Sequence, residues 1–179
     1  MNEIFYTKIA NSTAHRASRE QNTAYLFENP GLFSDLFSLA TNLKDKNHHR
    51  ACWVMELVLE QKLDFIFPHT NIFCETINKF TNDSAIRPVS KIVLFLVTYN
   101  HKKQPVLSQD NLQKITETCF DWLINDMKVA SKAYAIQTLY LIGKTEAWVY
   151  PELKQILSQD FPNHTPAYKS VAKRILKKI

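Results

Sequence analysis

The chain has 179 residues, 45% of them hydrophobic and 12% aromatic, which suits one folded domain with a sizeable core and excludes a disordered segment. Its 22 basic and 17 acidic residues leave a formal charge of +5, which permits nucleic acid or an acidic protein as partner without requiring either. Glycine makes the sharpest exclusion. With Gly31 and Gly143 alone, neither a phosphate-binding loop, a dinucleotide fingerprint nor a nucleophile elbow can be built.

The first dozen residues read as a short helix or an ordered tail. They have neither the apolar core nor the small-residue cleavage site of a secretory signal. A leading helix is predicted over about residues 13–28. Next comes an apolar stripe at helical spacing, Phe33, Leu36, Leu39/Ala40 and Leu43, and then the uniformly apolar Ala51 to Leu59. Phe73, Ile77 and Phe80 form the next stripe, followed by Val89 to Tyr99. Leu112, Ile115, Cys119 and Leu123 precede Ala133 to Ile142, and Leu153, Ile156 and Leu157 mark the last stripe. Alternation of period two is scarce, so the fold class is all-α. The longest apolar run, Ile92 to Tyr99, falls far short of the roughly 18 residues a membrane span needs. Cys52, Cys74 and Cys119 are odd in number and sit among apolar neighbours, as buried free thiols of a cytoplasmic protein would.

The prolines expose a repeat. Proline is tolerated in a first helical turn and costly further in. Pro30, Pro68, Pro105 and Pro151 each stand ahead of a stripe, at successive spacings of 38, 37 and 46 residues; at Pro105 the cap itself is expected from Ser108 or Asp110. A second series, Arg50-Ala51, Arg87-Pro88, Lys132-Ala133 and Pro166-Ala167, opens the following segments at spacings of 37, 45 and 34. Two marker series of similar period predict tandem helical hairpins over about 30–62, 68–100, 105–145 and 150–179, in a single domain over 1–179.

This pattern resembles the HEAT/armadillo class of α-helical repeats. A proline near the first helix, an Asp at the turn, and a basic residue before Ala or Pro carry the resemblance: Asp45 with Arg50-Ala51, Asp83 with Arg87, Asp126 with Lys132-Ala133. The fourth unit departs, with Asn163 and Pro166 in those places. The resemblance covers about residues 30–179. It implies a right-handed α-α superhelix of about four hairpins behind an N-terminal capping helix over 1–29, and it implies structural duties for the Asp and Arg residues. A label of adenylosuccinate lyase is rejected, because neither the Ser-Ser nor the Met-Pro of that family's mobile loop occurs here.

The stretch from Asp45 to Trp53 concentrates polar chemistry but reads as the turn and helix start of a repeat, with Asp45 and Arg50 tying the hairpin. Adjacent His48 and His49 point apart on a helix and cannot chelate as an i, i+4 pair does. No metal, cofactor or catalytic residue is assigned, and the sequence leans away from an enzyme. The expectation is a protein-interaction scaffold whose inner helices present His49, Trp53 and Glu56, then Arg87 and Lys91, then Tyr134 and Gln137, then Lys169 and Lys173. The alternative partner is nucleic acid, by resemblance to the HEAT-like alkylated-DNA repair proteins. A monomer is expected, since a basic last helix discourages stacking end to end.

Overall fold

The computed structural model describes residues 2–160 and 164–179, so Asn163 lies outside the described residues. All regular structure among these residues is helical. The chain forms two compact units, residues 1–92 and 93–179, which meet within one long helix, α6 (Asp83–Lys102).

The first unit opens with α1 (Glu3–Ala10), whose start is capped by the Asn2 side chain accepting from the Phe5 amide. It continues through α2 (Arg16–Glu28) and a 3₁₀ turn, Pro30–Leu32, into α3 (Phe33–Thr41). Helix α4 (His48–Gln61) packs against α1, α2 and α3 and buries Ala51, Cys52, Val54, Met55 and Leu57 to Leu59. Burial on several sides explains why the segment reads as uniformly apolar. Arg50 donates to the Ala10 carbonyl at the end of α1, and Tyr6 donates to Asp45 at 3.3 Å. Asp45 also accepts from the Asn47 amide at the start of α4 at 2.7 Å, so both residues serve neighbouring backbone, as their place in the turn suggested, and both reach back to α1 as well.

The second stripe also differs from expectation. Pro68 does not open a full helix; it lies inside a 3₁₀ run, Leu63–His69, and α5 (Thr70–Thr76) is short and passes into a 3₁₀ turn, Ile77–Lys79. Aromatic contacts hold the run against α3, with Phe65 edge-on to Phe33 at 5.3 Å and His69 stacked on Phe37 at 4.5 Å.

Pro88 is likewise not a first-turn proline, for it is the sixth residue of α6. It brings no N–H to the carbonyl four residues back, Ser84. The Trp53 indole of α4 donates to that carbonyl at 2.8 Å, replacing the missing bond and fastening α6 to α4. Trp53→Phe is expected to cost about 0.5–1.5 kcal/mol. Pro88→Ala should shrink that cost, because its N–H restores a partner to Ser84. Urea midpoints across the four-protein cycle check this, and equal costs in both backgrounds would disprove the link.

The second unit continues with α7 (Gln109–Ile124), α8 (Val129–Ile142), α9 (Val149–Asp160) and α10 (Pro166–Leu176). Helix α8 packs against the other three. Ser108 caps α7 by accepting from Asn111 at 3.1 Å, and Thr165 caps α10 with Pro166 at its first position. Asn100 Oδ1 accepts from the amides of Val106 and Leu107, which stitches the connection before α7. Lys132, 5% exposed, donates to the Leu123 carbonyl near the end of α7 at 2.7 Å, a charge well placed at a helix C-terminus. Lys132→Met is expected to lower stability by about 1.5–3 kcal/mol, read from thermal or urea unfolding.

Candidate partner-binding surface

In the first unit the structure brings together His49, Trp53, Glu56, Arg87 and Lys91 where α4 meets the start of α6. Glu56 lies beneath the surface, at 2% exposure, and not on the exposed polar side that its spacing suggested. Cations surrounding it make that burial tolerable. Lys91 Nζ stands 3.1 Å from Oε1, while Arg87 Nη1 and Arg19 Nη1 stand 3.6 and 3.9 Å from Oε2. Lys91 also donates to Glu60 at 3.0 Å. Burial alone would pull the Lys91 ammonium down, but its bonds to Glu60 and Glu56 outweigh it and hold the pKa above the ordinary lysine value.

Arg19 was not among the residues picked from sequence. It arrives from α2, 37 positions before Glu56, and no local pattern marks it. His49 packs edge-on to Trp53 at 5.0 Å. Its pKa is lowered, first by burial and then by the neighbouring His48 and Arg50. Cys52, for all its nearness to two histidines, is fully buried and donates to the Ala40 carbonyl. Burial pushes its thiol far up, which disfavours the thiolate a nucleophile needs. Among the described residues, no group of three His, Cys, Asp or Glu side chains is placed to hold a metal ion.

In the second unit the four predicted residues separate. Gln137 accepts from Arg174 at 3.3 Å and lines an open groove of about 280 Å³ with Leu94, Tyr140, Leu141 and Ile175. Tyr134, half-buried on the same helix, is not part of that groove. Lys173 belongs to a neighbouring face of α10 with Ser170, Lys177 and Lys178, and Lys169 is half-buried one turn earlier. Charge is divided unevenly. Residues 1–92 hold 10 basic and 10 acidic side chains, whereas residues 93–179 hold 12 basic and 7 acidic, the whole +5 excess.

A family model of the HEAT repeat domain matches residues 7–179. The chain belongs to the HEAT repeat family. HEAT repeats generally mediate protein interactions, and each helical pair contacts chiefly its neighbours while offering side chains along the array. The HEAT match extends ahead of Pro30, where the sequence resemblance began, and so takes in α2, the helix that supplies Arg19. No curated protein and no solved structure matches this HEAT chain. No helix among its described residues is long and apolar enough to cross a membrane.

Proposed function

We propose that this HEAT chain is a non-catalytic, monomeric protein-binding module that engages a protein partner through its inner helices, α4 and the start of α6 in the first unit, α8 and α10 in the second. The contact residues would be His49, Trp53, Arg87 and Lys91 in the first unit, with Glu56 beneath them as their electrostatic anchor. In the second unit they would be Tyr134, Gln137, Lys169 and Lys173. The observation that carries this reading is the ordered basic surface over Glu56. A buried carboxylate holds Lys91 in place while leaving the Arg87 guanidinium 47% exposed, so a cation is presented at little further entropic cost.

Arg87→Glu tests it, because that side chain is half-exposed and its loss leaves the Glu56–Lys91 pair in place. Immobilised wild-type and Arg87→Glu proteins would be exposed to nuclease-treated lysate of the native organism. A protein retained by the wild type and lost by the variant, at equal helicity, is the expected result. Identical recovery by both, or binding abolished by the nuclease, would contradict the proposal, the latter in favour of nucleic acid.

A further inference from the structure

The cations of the second unit are arranged unlike those of the first. Around Glu56 the basic groups are met by carboxylates. Around the groove of α8 and α10 they are not: among the described residues, no carboxylate pairs with Lys102, Lys144, Arg174 or Lys178. Lys144 and Lys178 each stand 5.4 Å from the centre of the Tyr140 ring, Lys144 also approaches His101 at 3.4 Å, and Arg174 donates to Gln137. An aromatic face and neutral polar groups order these side chains without neutralising them. Their charge remains available to a ligand.

The groove floor is apolar, formed by Leu94, Leu141 and Ile175. At about 280 Å³ it lies just under the range of small-molecule sites, and has room for a side chain or two of a docked segment. Tyr140 is not a free stacking platform, since Tyr150 lies parallel to it at 6.0 Å and two lysines stand over its ring. Single-stranded nucleic acid draws much of its affinity from such platforms, so the groove favours a peptide.

We infer that the groove between α8, α10 and residues 94–102 binds an acidic peptide segment. One apolar side chain of the segment sits on Leu94, Leu141 and Ile175, and flanking carboxylates meet Lys102, Arg174 and Lys178. The inference rests on the protein-binding reading above and supplies the chemical class of partner for this part of the surface.

The test uses the full chain and an array of fluorescein-labelled peptides rich in Asp and Glu with one Leu or Phe, followed by anisotropy. Matched peptides with Gln and Asn for the acids, and a single-stranded oligonucleotide of equal charge, serve as comparisons. Some acidic peptides are expected to bind with Kd near or below about 100 µM. Lys102→Glu/Lys178→Glu should weaken that binding at least about tenfold with helicity unchanged, whereas Arg87→Glu in the first unit should leave it intact. No peptide bound, equal binding of the neutral peptides, or indifference to the double reversal would overturn the inference. Loss on Arg87→Glu instead would also overturn it, while leaving the protein-binding proposal standing. Tighter binding of the oligonucleotide would count against both.

Discussion

Glu56→Ala is expected to destabilise the protein by about 3–5 kcal/mol, the usual consequence of removing one member of a buried ion pair. The carboxylate is almost wholly enclosed, and its loss leaves Arg19, 15% exposed, and Lys91, 19% exposed, without the charge they surround. Lys91 keeps Glu60, but that carboxylate is 43% exposed and screened by solvent. Arg87→Gln should cost less than about 1 kcal/mol, because that guanidinium is half in water already. Replacing Glu56 by Leu and Lys91 by Met together should recover part of the loss, since an apolar pair carries no desolvation penalty. Urea unfolding of the three variants beside wild type checks the order; a Glu56→Ala cost below that of Arg87→Gln would overturn the assignment of Glu56 as the centre of the cluster.

The same cluster sets a pH dependence. The folded pKa of Lys91 is raised, so its contribution is complete below the ordinary lysine value of about 10.4 and is lost as pH rises through the folded value. The stability difference between wild type and Lys91→Met should therefore shrink in strongly alkaline solution and stay constant between neutrality and about pH 10. A difference that shrank on acidification above pH 6 would contradict that cause.

The second large effect is expected at Gly143. This residue ends α8 with φ of −61°, a conformation open to any residue, so its backbone does not require glycine. Space does. The Tyr150 ring lies against its Cα, and an added Cβ would run into that ring. Tyr150 cannot turn aside freely, for its hydroxyl donates to the Tyr140 carbonyl at 3.2 Å and its ring stacks on Tyr140. Gly143→Ala is expected to cost about 1–3 kcal/mol through overpacking. In a Tyr150→Ala background the same substitution should become neutral or stabilising by about 0.4–1 kcal/mol, because alanine restricts the unfolded chain more than glycine does. Thermal unfolding reads both signs, and an equal cost in the two backgrounds would remove Tyr150 as the reason.

Local chemistry made much of the helical order legible. The stripes from Phe33, Leu112 and Leu153 each became a helix, Ser108 caps where a cap was expected, and Pro151 and Pro166 lie in first turns. What escaped is non-local. Pro88 is acceptable inside α6 because an indole 35 residues earlier serves the carbonyl it deprives. Pro68 falls in a 3₁₀ run because aromatic rings on α3 hold it there. Glu56 reads as an exposed carboxylate at helical spacing from Glu60, and the cations that make its buried position tenable, Lys91 and Arg87 from α6 and Arg19 from α2, all arrive from other helices. The gathering of uncompensated lysines around Tyr140 is similarly invisible along the chain, since Lys102, Lys144 and Lys178 lie in separate segments.

Hydrogen exchange of the complex with a captured partner tests most directly whether binding runs along α4, α6, α8 and α10. New protection is expected in those helices, around Arg87 and Lys91 in the first unit and around Gln137 and Arg174 in the second. Protection confined to α3, α5, α7 and α9, with the other four helices unchanged, would contradict it.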